Sequence, residues 1–406
     1  MAKEITSDLS SEIRASPIRQ LSAEFEKVVK NASSGPRPIS FGLGEPYVMI
    51  PESAIKGAQD FLQNASKAPQ KYPSNNGMPN LREAISTYLK RFGLNFQAPE
   101  ILITNGGREA IMLSMLATLN EGDKLIIPSP SWVAYAELAK LRLGKKDILL
   151  LPTTLENNFV PTLAQLEATV KKVKGTMAKD RKIVLQLTDP HNPTGAMFPQ
   201  ELKKEIAKLA LDHDLLVFSD EIYAGLVEQY KSIATYDGMR DRTIVFGGVA
   251  KVFSMTAWGL GFVACPNPNV YNLMNALKGH VSVTPTVTQQ AASPAFTDPN
   301  FSTYAEKNRR MFIKRAGIVN EWAVRHKLGH SKTAPGMIYS WISVAKSGLN
   351  ADEFCKKAVE LRVLAIPGSG FGDAAADPEL NKYIRISLSA NEEDLKEGLA
   401  RLEKLF

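Results

Sequence analysis

The 406-residue chain has two cysteines, Cys265 and Cys355, too few for a disulfide framework, which fits a reducing compartment. It has no stretch approaching the ~18 uncharged apolar residues of a membrane span. The opening residues, Met1-Ala2-Lys3-Glu4-Ile5, lack the apolar run of a secretory signal. Charge is not segregated either. The net charge is +7, with a pI near 9.1, yet the basic residues are scattered and mixed with acids, as in Lys203-Lys204-Glu205. Such scattered charge reads as solvated surface and not as a nucleic-acid face. Internal repeats, low-complexity tracts and a Gly-x-Ser-x-Gly hydrolase motif are absent. His326 and His330 are four apart, but Lys327-Leu328-Gly329 between them holds no glutamate, so no metal is assigned. Gly368-Ser369-Gly370-Phe371-Gly372 has the wrong spacing for a dinucleotide loop and reads as a tight turn. These absences predict a soluble, cytoplasmic protein with no nucleic-acid or membrane partner.

What is present is an ordinary globular composition, 44% hydrophobic and 22% charged. An amphipathic helix is predicted over Ser16 to Lys30, then a turn-rich linker from Asn31 to Pro38. Short apolar runs then alternate with helical patterns. Strands are predicted at Ile101 to Thr104, Lys124 to Ile127, Ile148 to Leu151, Ile183 to Leu187, Leu215 to Phe218, Thr243 to Phe246 and Leu260 to Ala264. Helices are predicted from Arg108 to Leu119 and from Glu201 to Asp212. This alternation indicates an α/β fold with a mostly parallel sheet flanked by helices. After Pro294 the pattern changes to a long helix over Phe301 to Arg325, strands at Tyr339 to Val344 and Ile384 to Leu388, and a closing helix from Glu392 to Leu405. That part reads as a smaller α+β domain.

Four loops at predicted strand ends carry chemistry. Asn105-Gly106-Gly107-Arg108 opens a helix, where free N–H groups and the helix dipole make an anion site. Asp189-Pro190-His191-Asn192-Pro193-Thr194-Gly195 is a turn signal that also presents an asparagine. Ser219-Asp220-Glu221-Ile222-Tyr223 places a carboxylate where open α/β sheets bind ligands, with a helix N-cap as its alternative role. Gly247-Gly248-Val249-Ala250-Lys251 follows a strand with two glycines, which let backbone approach a ligand. Lys251 then stands between small residues and the apolar Val252-Phe253, an unusual place for a solvated lysine. An anion cradle, an asparagine, an aspartate with a tyrosine, and a lysine together suit a phosphorylated pyridine aldehyde. The cradle would hold the phosphate, Asp220 the ring nitrogen, and Lys251 the aldehyde as an imine.

At this point the sequence resembles the class I/II aminotransferases of pyridoxal-phosphate (PLP) fold type I, aspartate- and tyrosine-aminotransferase-like, from about Pro17 to the C-terminus. Gly44-Glu45-Pro46 is similar to the family segment whose glycine backbone lies at the substrate. Lys71-Tyr72 resembles the pair whose tyrosine reaches the phosphate in the neighbouring subunit, which implies a homodimer with shared active sites. Ser129 to Tyr135 resembles the segment whose aromatic stacks on the cofactor ring, pointing to Trp132. Asn192 and Tyr223 match the partners of the ring's phenolic oxygen, and Asp220 matches the partner of the pyridine nitrogen. Gly248-Val249-Ala250-Lys251 is similar to the lysine motif. Arg385, in Tyr383-Ile384-Arg385-Ile386-Ser387, matches the clamp on the substrate α-carboxylate, for which a bidentate guanidinium is suited. The resemblance implies a small-domain segment at 1–45, a large PLP-binding domain at 46–295 and a C-terminal small domain at 296–406, the small domain being formed by both chain ends.

The resemblance implies an aminotransferase. Catalysis is expected from Lys251 with Asp220 and Tyr223. Cofactor binding is expected from Tyr72, Gly106, Gly107, Arg108, Trp132, Asn192, Asp220, Tyr223 and Lys251. Substrate binding is expected from Gly44, Trp132, Asn192 and Arg385. The alternatives are a β/γ-lyase on the same cofactor, an aspartate-specific aminotransferase, or a non-catalytic regulator with this fold. One departure stands out. The family's Gly-Trp-Arg-x-Gly reads Ala257-Trp258-Gly259-Leu260-Gly261 here, so a phosphate-binding arginine is replaced by Gly259. A serine three residues before the lysine is replaced by Gly248. Arg108, in the cradle, is the candidate compensation. On that reading Arg108→Ala weakens PLP binding strongly and Gly259→Arg strengthens it. No arginine lies in Ser282 to Val287, where dicarboxylate-specific members place one. That favours aromatic, neutral or broad-range donors, with 2-oxoglutarate as acceptor.

Overall fold

Runs buried along their whole length build the centre of the molecule. The computed structural model describes residues 13, 15–31, 35–42, 44–46, 48–67 and 71–406. The first residues of the chain and part of the linker after the first helix therefore lie outside the described residues. In chain order the first strands are β1 (Ile39–Ser40), β2 (Ile101–Thr104), β3 (Lys124–Ser129), β4 (Ile148–Pro152), β5 (Ile183–Thr188), β6 (Leu216–Asp220), β7 (Thr243–Gly248) and β8 (Gly261–Ala264). Strands β2 to β8 form one seven-stranded sheet in the order β2-β8-β7-β6-β5-β3-β4. β8 alone runs antiparallel to the other six strands. Helices cover both faces, so β5 and β7 are buried at every position, which is why both are mainly apolar in sequence, with Gln186 the polar residue inside β5. Val184, Phe218 and Phe246 pack into one face, and Leu185, Val217 and Val245 into the other. Each such side chain stabilises the fold by about 1.5–3 kcal/mol relative to exposure.

The ends of the sheet differ from the sequence expectation in one informative way. β7 continues through Gly247 and Gly248. A Cβ at Gly247 would lie 2.3 Å from the Phe262 ring, and one at Gly248 would lie 2.9 Å from the Leu260 carbonyl. These glycines therefore make room for β8 and its side chains. Gly261, at the start of β8, likewise makes room for the 106–107 backbone, which its Cβ would meet at 2.4 Å.

The C-terminal third adds β9 (Tyr339–Ser343), β10 (Val363–Leu364), β11 (Ile366–Pro367) and β12 (Tyr383–Ser387). Antiparallel β11-β12-β9 make a small sheet beside the helix Phe301–Arg325, whose bounds are those the sequence predicts. β1 pairs in parallel with β10, Ile39 opposite Val363. Phe41 O accepts from Ser387 N at 2.9 Å. The segment 39–42 is thus threaded into the C-terminal part, with Ile39 and Phe41 in its core.

Candidate active site

Parallel strands that end together bring their following loops together. Thr188 on β5 lies opposite Asp220 on β6, and Asp220 lies opposite Phe246 on β7. Asp220 is buried. Its carboxylate accepts from the Tyr135 hydroxyl at 2.6 Å and from Ile222 N–H at 3.2 Å. The Thr188 hydroxyl donates in turn to Tyr135 at 2.8 Å. Burial pushes the Asp220 carboxyl up to about 6, against the pull of the Tyr135 bond, the Ile222 amide and the Lys251 charge. The next residue, Glu221, turns to the other side of the strand and accepts from Ser219 Oγ at 2.8 Å and from Ser232.

Lys251 sits in the short helix Val249–Val252 directly after β7. Its Nζ donates to the Gly44 carbonyl at 2.5 Å. Gly44 in turn abuts Tyr339, for a Cβ there would fall 1.7 Å from the Tyr339 hydroxyl. Of the Gly-Glu-Pro neighbourhood, Leu43 and Tyr47 lie outside the described residues.

Arg385, on β12, is buried and held on four sides. Nη1 donates to Asn192 Oδ1 at 3.0 Å and Nη2 to the Gly42 carbonyl. The guanidinium lies over the Tyr339 ring at 4.4 Å and over Phe371 at 4.8 Å. Such contacts are worth ~2 kcal/mol when desolvated. Nε has no acceptor among the described residues. The loop carrying Asn192 is fixed at both ends. His191 Nδ1 is 2.7 Å from Thr194 Oγ1, and Gly195, at φ +71°, lies against the Tyr339 carbonyl, where a Cβ would come within 2.2 Å. Burial lowers His191 to about 4, so its ring is neutral. Tyr223 is buried, its hydroxyl 3.2 Å from that of Tyr339, and burial raises its phenol.

The cradle begins two residues earlier than expected, with a helix over Gly106–Thr118. First-turn amides of a helix have no intrahelical acceptor. Gly106, at φ +75°, has nothing within 4 Å of where a Cβ would stand. Glu109 fixes the turn by accepting from Asn105 N–H at 2.5 Å and from the Ser282 hydroxyl. Gly259 is also left-handed, at φ +61°, and a Cβ there would likewise meet no atom within 4 Å. Arg108 is exposed. Its guanidinium lies over the Trp132 ring at 5.4 Å, and Trp132 meets Tyr135 edge to face.

Lys251, Asp220, Asn192, Tyr223, Gly44 and Arg385 are thus brought together, and Trp132 joins them through Tyr135. Tyr72 is 90% exposed and stands apart. Sequence reasoning did not single out Tyr135, Thr188, Tyr339 or Phe371. Phe371 belongs to the glycine-rich turn at 368–372, which forms a short 3-10 helix. Lys203, read as solvated, is buried against Asp189, because it falls on the apolar stripe of the helix Gln200–Asp212 with Ile206, Ala207 and Ala210.

A sequence profile of the family described as aminotransferase class I and II matches residues 36–402. The chain is 32% identical over 392 residues to the aspartate aminotransferase of Pyrococcus abyssi, covering 95% of each. It is equally 32% identical over 392 residues to aromatic-amino-acid aminotransferase 2 of Thermococcus litoralis, again covering 95% of each. Among solved structures, the aspartate aminotransferase from Thermus thermophilus with maleate superposes with a TM-score of 0.86 at 25% identity, covering 99% of this chain and 100% of that one.

Proposed function

The chain belongs to the class I and II aminotransferases, a family of PLP-dependent enzymes, and from that premise we propose that it moves an amino group from an L-amino acid to a 2-oxo acid with Lys251 as the proton-moving base. The observation that carries this reading is Asp220: a buried carboxylate with neutral partners, beside the strand that delivers Lys251. Such a group is suited to a cationic N–H opposite it, because that cation relieves the cost of burial.

The residues fit the family's cofactor. The cradle at Gly106 and Gly107, open beside Gly106, suits a phosphate, and Trp132 offers a flat face. When bound, PLP supplies an aldehyde for a lysine and an electron-withdrawing ring. Asp220 holds a proton on the ring nitrogen. Asn192 and Tyr223 hold the ring's oxygen. Arg385 receives the substrate carboxylate, its plane fixed by Tyr339 and Phe371. Lys251, as the free amine, would take the proton from the substrate α-carbon and return it two atoms away, to the cofactor carbon across the substrate nitrogen. Trp132 and the Gly44 segment keep water from the reacting atoms.

For the donor side chain, the proposed range is aromatic, neutral or broad, with 2-oxoglutarate as acceptor. Arg108 on the Trp132 face adds a cation that can meet an acidic side chain, which favours breadth over a purely apolar choice. The proposed working form is a homodimer in which the exposed Tyr72 completes the neighbouring site. The division into a PLP-binding domain at 46–295 and a small domain formed by both chain ends remains part of this proposal. The test is borohydride reduction of PLP-loaded protein followed by peptide mapping, with a stable adduct expected on Lys251. A screen of common amino acids for bleaching of the visible band then defines the donors. Release of ammonia in place of amino transfer would assign elimination chemistry instead.

A further inference from the structure

The geometry points to Tyr339 as a positioning residue that serves two parts of the site at once: its ring holds the carboxylate receptor Arg385, and its hydroxyl orients Tyr223. This rests on the reading of Arg385 and Tyr223 given above.

Tyr339 opens β9, with Ser387 directly opposite on β12 and Arg385 two residues along. Directly opposite and diagonal residues of an antiparallel pair share a face, and long or aromatic side chains span the diagonal. The Arg385 guanidinium accordingly lies over the Tyr339 ring at 4.4 Å. With Phe371 also within 4.8 Å, Asn192 on Nη1 and Gly42 on Nη2, the guanidinium is restrained by two rings and two hydrogen bonds. Its Nε edge is the part left without a partner.

A phenylalanine would supply the same ring. The chain has a tyrosine, and a buried hydroxyl requires a partner. That partner is the Tyr223 hydroxyl, at 3.2 Å. Each phenol has one proton, so in this pair one oxygen donates and the other accepts. When Tyr339 donates, the Tyr223 proton is directed away from Tyr339 and is free for an oxygen of the cofactor. An accepted hydrogen bond also polarises Tyr223 into a better donor. The same hydroxyl occupies the space a Cβ would take at Gly44, whose carbonyl receives Lys251. One side chain therefore sets the receptor, the phenol donor and the backbone that faces the lysine.

The test separates ring from hydroxyl in the full-length, PLP-loaded protein. Tyr339→Phe keeps the ring. It is expected to raise the pH midpoint of the visible absorbance band, because the ring oxygen loses stabilisation through Tyr223. It should leave the Kd of an unreactive carboxylate, the tighter of maleate and 3-phenylpropanoate, within about two-fold of the parent. Tyr339→Leu removes the ring and is expected to raise that Kd by about ten-fold or more. Thermal unfolding of each variant establishes that it is folded. A Phe variant with an unchanged midpoint overturns the hydroxyl role, and a Leu variant that binds the carboxylate like the parent overturns the ring role. A parent protein that takes up no PLP, or binds neither carboxylate, sinks the underlying reading of the site as well. A parent that loads normally while the variants match it sinks this inference alone.

Discussion

The hydroxyl of Tyr135 stands 2.6 Å from Asp220 Oδ2 and donates to it across strand β5, whose Thr188 hydroxyl completes the chain at 2.8 Å. The Tyr135 bond lowers the Asp220 carboxyl against the effect of burial. Tyr135→Phe removes that support and leaves a buried acceptor unsatisfied, at a cost of about 1.5–3 kcal/mol. The expected result is a kcat/KM lower by roughly ten- to hundred-fold. The acid limb of the pH profile should move to higher pH, since Asp220 works ionised and becomes harder to ionise. A limb that stays in place would show that the tyrosine only fills space.

Without its cofactor, the protein carries Asp220 at a cost. A carboxyl raised in the folded state is more easily protonated there than in the unfolded chain. Below about 3.8 both states are protonated and nothing is lost. As pH rises from 3.8 toward about 6, the unfolded state ionises first and folding is weakened. Above about 6 the loss is complete, and the interval corresponds to about 3 kcal/mol. Asp220→Asn should therefore stabilise the cofactor-free protein at pH 7–8 and leave it unchanged near pH 3.5. Urea unfolding at the two pH values checks this. Adding PLP should reverse the order at neutral pH, because only the parent offers a carboxylate to the ring nitrogen.

Gly259 allows binding and strain to be measured apart. The space beside it is open, so an arginine side chain fits, but its backbone is left-handed, which costs a non-glycine residue about 1–2 kcal/mol. That strain is present with and without cofactor, so it cancels from the affinity. Gly259→Arg is expected to tighten PLP binding by roughly ten- to hundred-fold through a charge-assisted bond, while lowering the stability of the cofactor-free protein. Arg108→Ala should weaken PLP binding by less than this gain. Arg108 is exposed over Trp132, where water screens its charge, so the strong loss expected from the sequence is reduced. Fluorescence titration of both variants with PLP reads the two effects.

The sheet was legible because strands covered on both faces are mostly apolar, and β2 to β8 each overlap such a run. Lys251, Asp220, Asn192 and Arg385 were legible because each is a reactive residue type in a recognisable segment. Tyr135, Thr188, Tyr339 and Phe371 were not. They are residue types at home in any core, and their role appears only once the order β3-β5-β6 and the pairing of β9 with β12 bring their hydroxyls and rings to the reactive groups. The glycines at 247 and 248 illustrate the reverse. Their position suggested a ligand, and the crowding of β8 is a second reason for glycine at both positions. Lys203 carried a signal that went unused: it stands at helical spacing with the buried Ile206, Ala207 and Ala210.

That lysine holds the loop of Asn192 from behind. Its Nζ lies 2.7 Å from Asp189 Oδ2, donates to the Lys231 carbonyl at 2.6 Å, and sits 4.6 Å over the Tyr230 ring. Asp189 Oδ1 accepts from Phe198 N–H at 2.9 Å, which closes the loop containing Asn192. Burial raises the Asp189 carboxyl, and Lys203 is the main opposing influence. Lys203→Met removes that cation and strands a buried carboxylate, a loss of about 3–5 kcal/mol at neutral pH. The loss should shrink as pH falls and Asp189 becomes protonated. Lys203→Met with Asp189→Asn removes both charges and should recover most of it. Since Asn192 is three residues from Asp189 and bonds Arg385, the single variant should also raise KM for the carboxylate substrate more than the double variant does. Urea unfolding of the parent, Lys203→Met, Asp189→Asn and the double variant gives the coupling between the two charges. A double variant no more stable than Lys203→Met would mean that the lysine acts through its packing on Tyr230 and not through Asp189.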